Sequence, residues 1–138
     1  MKTKLAVAIA LVVVVLFSSS AVFAGTKTLL VKVEDFPAEG IRTYHLQKEV
    51  TSQAIENFES ISETERPGGL YGGVPKHLEL AKELFNIKGV TRVIFSHRYE
   101  VMIIKGKCFD WQKVEPEVIW TLKKYFGAKT VNVKKINL

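Results

Sequence analysis

The chain has one cysteine in 138 residues, which excludes an intrachain disulfide framework. Four prolines and nine glycines are too few for a collagen-like or low-complexity chain. The apolar run from Leu5 to Phe17 falls short of the roughly 20 residues that a membrane-spanning helix needs. Acidic residues stop at Glu117, whereas Lys123, Lys124, Lys129, Lys134 and Lys135 all follow it. What is present is 47% hydrophobic and 25% charged, which excludes a disordered chain and fits one modest domain.

Residues 1–24 are set aside as a targeting segment. Lys2 and Lys4 make a positive start, the Leu5–Phe17 run follows, and Val22-Phe23-Ala24 offers a signal-peptidase site. The expectation is a secretory signal peptide and an exported (periplasmic or extracellular) domain over residues 25–138. The alternative is an uncleaved N-terminal membrane anchor; after cleavage no stable membrane span is expected. No cysteine lies near the cleavage site, which argues against a lipoprotein.

Charge is unevenly placed. Residues 25–75 carry five basic and eight acidic groups, and residues 76–138 carry thirteen and six. The basic half reads either as a face for an acidic partner or as a solvated helix face and tail. Nucleic acid is not expected as a partner, because no binding motif accompanies the lysines.

Period-two patterning marks strands at Leu29–Val33 and Ile41–Leu46, able to pair across the Pro37–Gly40 turn. In the second, Ile41, Thr43 and His45 share one face. Val50 to Ile61 fits either a helix or, at Gln53–Phe58, a strand. Glu63 to Pro75 is glycine-rich and reads as a mobile surface loop, with Leu70 and Tyr71 as contact points; Gly68 to Gly73 lacks the Gly-Lys-Ser/Thr ending of a phosphate loop. Leu78, Ala81, Leu84 and Phe85 place a helix over Lys76–Ile87, with Gly89 in the left-handed position that stops it. Val90–Phe95 and Tyr99–Ile104 form a hairpin with Ser96-His97-Arg98 at the tip and a second strand buried on both faces. Pro116 is expected to open a helix ending at Phe126 before Gly127, after a tight turn at Trp111–Val114 that Asp110 can cap. Thr130–Ile136 is a last, lysine-guarded edge strand. The fold class is α+β, a mostly antiparallel sheet with two main helices packed on one side.

One block resembles a known family. Leu80-Ala81, Leu84-Phe85, Ile87, Gly89-Val90 and Val93 are followed by Tyr99, Val101, Lys105, Asp110-Trp111, Val114, Pro116 and Val118. This spacing is similar to the N-terminal domain of NifU-like (Nfu) iron–sulfur scaffold proteins, and the resemblance spans roughly residues 36–126. Tyr44, Val50 and Asn57-Phe58 fall at matching positions upstream and favour the strand at 53–58. Leu78-Glu79 stands where the family has Ser-Pro, and Phe36-Pro37 where it has Asn-Pro. The resemblance implies an auxiliary, partner-binding module. In full-length scaffolds the cluster ligands are a Cys-x-x-Cys pair on a separate domain, which one cysteine cannot supply.

Cys108 is the only thiol, and Lys105 and Lys107 beside it favour the thiolate if it is exposed. It reads as a lone iron or cluster ligand completed by a second subunit, as an intermolecular disulfide, or as an ordinary loop thiol. His97 and His45 join it as candidate metal ligands, and His77 is the remaining histidine, but none lies at a metal-ligand spacing. Glu34-Asp35 and Glu63/Glu65 read as solvated turn carboxylates, and Phe85, Tyr99 and Trp111 as core. The reading is a non-catalytic interaction or accessory module for iron–sulfur or metalloprotein maturation, with an unidentified protein partner held at Leu70, Tyr71, Ser96, His97 and Arg98. The alternative is an extracytoplasmic iron or metal carrier using Cys108 and histidines, within one chain or across a homodimer. No cofactor is certain; iron or an iron–sulfur cluster enters through the resemblance alone.

Overall fold

The computed structural model describes residues 27–36, 38, 40–52, 55–65 and 75–136. Six strands, β1 (Thr28–Asp35), β2 (Ile41–Leu46), β3 (Glu56–Phe58), β4 (Val90–His97), β5 (Glu100–Lys105) and β6 (Thr130–Ile136), form one sheet in the order β3-β4-β5-β2-β1-β6. A 3-10 turn spans Ile61–Glu65, and two helices complete the described residues: α1 (Lys76–Phe85) and α2 (Trp111–Phe126). Neighbouring strands run antiparallel except β1 and β6, which are parallel and pair from Thr28 opposite Thr130 to Glu34 opposite Ile136. The α+β class with a mostly antiparallel sheet and two helices stands.

Side-chain alternation decides which sheet face the helices cover. Leu29, Val31 and Val33 of β1, Tyr44 of β2, Phe95 of β4 and Ile103 of β5 are buried on that face. Leu80 and Leu84 of α1 and Val118 and Leu122 of α2 pack onto it from above. Each fully buried leucine contributes about 2 kcal/mol through apolar area removed from water. Ile41 and His45 lie on the opposite face and are only half-buried.

Four local expectations need correction. α2 does not start at Pro116: it starts five residues earlier at Trp111, capped by the Asp110 carboxylate, which accepts the Gln112 N–H at 3.1 Å. An internal proline costs about 3 kcal/mol; burial of Val114 and packing of Trp111 against the core offset it. β5 is not buried on both faces, because helices cover one side only: Val101 and Ile103 are buried, Met102 and Ile104 half-buried. α1 stops at Phe85, with Asn86 in a right-handed conformation at its C-cap. Gly89 (φ +100) lies three residues beyond, where its bare Cα is pressed against Phe109. The hairpin turn is Arg98-Tyr99 rather than Ser96-His97-Arg98, since β4 continues through His97, and Tyr99 is 41% exposed instead of core. By contrast Gly127 closes α2 in the left-handed conformation, as the sequence indicates. The expected targeting segment at residues 1–24 lies outside the described residues.

Candidate functional site

α2 turns Val114, Val118, Thr121 and Leu122 into the core. Trp120 sits two residues beyond Val118, about 200° further round the helix, and is therefore 61% exposed. Lys124, one turn on, stacks its ammonium 5.4 Å from the Trp120 ring and reaches Glu83 of α1 at 3.4 Å. The indole forms a ridge between two depressions. One, of about 510 Å³, lies between α1 and α2 against Ile87, Pro116 and Thr121. The other, of about 550 Å³, lies between α2 and β6, walled by Trp111, Pro116, Ile119, Trp120, Val131 and Val133.

A fixed polar network anchors the second groove. Arg42 of β2 donates to Asp35 and Glu115, and its guanidinium lies 4.7 Å from the centre of the Trp111 ring. Lys105 approaches the same ring at 5.7 Å, and Lys135 of β6 lies 3.6 Å from Glu115. The network ties β1, β2, α2 and β6 together, so the groove walls are set before any partner arrives. Tyr44 lies buried beneath it. Burial pushes its phenol well above the ordinary range, and the Glu115 charge pushes it further.

The other candidate residues are dispersed. His45 spans two carboxylates on the open sheet face, with Nε2 2.7 Å from Glu34 and Nδ1 3.1 Å from Glu100. Register sets His97 on the other side of Glu100, its ring 6.1 Å from that of Tyr99. Cys108 is exposed beyond the far end of β5, in a shallow depression with Lys105, Lys107 and Asp110. His77 pairs with Glu56 at 3.1 Å and tethers β3 to α1. Glu34 and Asp35 end β1 rather than lie in a turn: Glu34 is largely buried against His45, whereas Asp35 pairs with Arg42 and stays solvated. Ser96 bonds Glu100 at 3.2 Å, and the Arg98 carbonyl accepts the Val50 N–H at 2.7 Å, which holds the hairpin end against the chain after β2. Leu70 and Tyr71 lie outside the described residues.

Among the described residues, no group of three or more His, Cys, Asp or Glu is arranged to hold a metal ion. An iron–sulfur cluster held by four thiolates does not fit a chain with one. Also among the described residues, no helix is long and apolar enough to cross a membrane. Sequence reasoning missed Trp120. Its signal was present: a large aromatic on the helix face shared with Glu117, Lys123 and Lys124.

The family described as scaffold protein Nfu/NifU N terminal matches residues 31–129. No curated protein matches. Among solved structures, the solution NMR structure of a NifU-like protein from Saccharomyces cerevisiae superposes with TM-score 0.55 at 16% identity, over 72% of this chain and 79% of that one. A Staphylococcus aureus crystal structure gives TM-score 0.49 at 11% identity, covering 65% and 93%. A Staphylococcus epidermidis solution structure gives 0.43 at 17%, covering 67% and 92%. The yeast likeness reproduces the fold seen here, and the family match spans β1 to the end of α2, so the chain belongs to the Nfu/NifU scaffold N-terminal family.

Proposed function

We propose that this domain is an exported, non-catalytic docking module that serves iron–sulfur or metalloprotein maturation by binding another protein. Family membership supports the link to iron–sulfur scaffolds. The observation that carries the docking role is Trp120, 61% exposed and held upright by Lys124 between two grooves. A tryptophan held at a groove rim is the kind of anchor that supplies most of the energy of a protein interface. Nothing in the site assembles a nucleophile, a base and an oxyanion donor around one reacting centre.

The test is photo-crosslinking in the native host. A Trp120→benzoylphenylalanine chain should form adducts with proteins that carry or mature iron–sulfur centres, and a Lys32→benzoylphenylalanine chain, probing the opposite sheet face, should not. Equal adduct patterns from both positions, or adducts unrelated to metalloproteins, would overturn the proposal.

A further inference from the structure

We propose that the free edge of β6 takes up an extended, acidic segment of the partner by strand addition, and that alternate apolar side chains of that segment enter the α2/β6 groove. This rests on the docking reading above and names the chemistry of what docks.

Backbone geometry supplies the first support. Among the described residues β6 is the outermost strand and pairs with β1 alone. The Phe36 N–H donates to the Ile41 carbonyl at 3.2 Å, so the even residues of β1 face β2 and its odd residues face β6. In the parallel register that sets Leu29 opposite Val131, those odd residues bond Thr130, Asn132 and Lys134, which leaves the N–H and C=O groups of Val131, Val133 and Lys135 turned outward. An added strand completes this ladder with main-chain bonds that do not depend on its sequence.

The groove supplies the second. The helices do not extend over the sheet edge, so Val131 and Val133 stand beside Ile119 and Trp120 with Val133 41% exposed. Side chains of a strand laid along β6 alternate between this groove and the open face, so every second one needs to be apolar.

Charge selects the occupant. No acidic residue follows Glu117, and among the described residues Lys123, Lys129 and Lys134 have no carboxylate partner. Lysines on an edge strand deter neutral strands; the same lysines attract an acidic one and so set specificity. A second copy of the chain is a poor occupant, because antiparallel β6–β6 pairing lays Lys134 and Lys135 of both copies along one seam. Head-to-tail pairing on β3 offers three residues, and the carboxylates there are taken by His77 and Arg92.

The probe is a synthetic peptide of about eight residues, the length of a typical strand, alternating valine and glutamate. It is titrated into the full chain alongside a valine–lysine peptide and a copy N-methylated at alternate residues. The glutamate peptide should bind at least about tenfold more tightly than either control, and its affinity should fall by a similar factor between about 0.05 and about 0.5 M salt. Amide exchange at Val131, Val133 and Lys135 should slow on binding. A Lys129→Glu, Lys134→Glu chain should prefer the lysine peptide, and Val133→Pro should lose more binding than Val133→Ala, because only proline removes an outward N–H that the sheet does not use. If Val133→Pro fails to fold, the N-methylated peptide tests the same bond on the unaltered protein. Equal binding of acidic and basic peptides, no binding, or binding without slowed exchange at those amides would overturn strand addition. Trp120 adducts that persist without peptide binding would defeat strand addition and leave the docking module; peptide binding without metalloprotein adducts would do the reverse.

Discussion

Tyr44 lies fully buried between Val33 of β1 and Val101 of β5, and its hydroxyl has no hydrogen-bond partner among the described residues. A buried hydroxyl without a partner carries a desolvation cost of about 1–3 kcal/mol that no bond returns. Tyr44→Phe deletes the hydroxyl and keeps the ring, so at neutral pH the variant should be more stable than the parent by on the order of 1 kcal/mol. A second signature separates this account from a packing effect. Burial, and then the Glu115 charge, raise the folded-state pKa of Tyr44 above its unfolded value of 10.0. The folded chain therefore holds a proton that the unfolded chain gives up. Stability from this group is fully present below pH 10 and is lost as pH rises above it, by about 1.4 kcal/mol per pH unit. Phenylalanine does not titrate, so the gap between variant and parent should widen at that rate. The assay is urea denaturation of both chains at a series of pH values from about 8 to about 11, a range that brackets the unfolded tyrosine pKa. A variant less stable than the parent by more than about 1 kcal/mol at neutral pH would refute the unpartnered hydroxyl, and a gap that stays constant above pH 10 would refute the raised pKa.

Three further outcomes follow from the same physical picture. Gly89→Ala should cost about 2–4 kcal/mol, because the new Cβ falls 2.6 Å from Phe109 Cγ at a φ of +100°; Phe109→Ala in the same chain should narrow the loss caused by Gly89→Ala, leaving the backbone part, as read by thermal melting. Arg42→Ala should cost about 3 kcal/mol, because it leaves the largely buried Glu115 carboxylate with only the solvent-exposed Lys135 ammonium as a partner. Arg42→Lys should restore less than half in denaturant titrations, since an ammonium cannot bridge two carboxylates and stack on Trp111 at once. Trp120→Ala should leave stability within about 0.5 kcal/mol yet weaken capture of the acidic peptide at least about tenfold; retained affinity would remove the ridge from the site.

Much of the fold was legible because its signals are local. Leu29, Val31 and Val33 recur at every second position between less buried neighbours, and they are the residues the sheet buries. The α2 stripe of Val118 and Leu122, the Asp110 cap and the Gly127 stop each act within one or two helical turns. Pro116 misled because its cost is also local and was weighed alone. What overrides it is the burial of Val114 and the contact of Trp111 with the core, which exist only once the helix lies on the sheet. Tyr99 misled in the opposite sense: it occupies the turn, where an aromatic ring meets little but the neighbouring His97.

The site was less legible than the fold. Cys108, His45 and His97 drew notice as reactive residue types, but strand register separates Cys108 from the histidines by the length of β5. Trp120 is an unreactive side chain and attracts no chemical motif. Its importance comes from what surrounds it, two grooves whose far walls belong to α1 and to β6.

By itself the sequence determined the elements, their buried faces, the family and the run of lysines after Glu117, because periodicity, caps and composition act over a few residues. Only the tertiary structure decided that β6 runs parallel to β1 at the sheet edge, that Arg42 meets Glu115 across 73 positions, and that Trp120 overlooks an uncovered groove. Those three depend on which distant segments share a layer, and no local pattern encodes how far two helices reach across six strands.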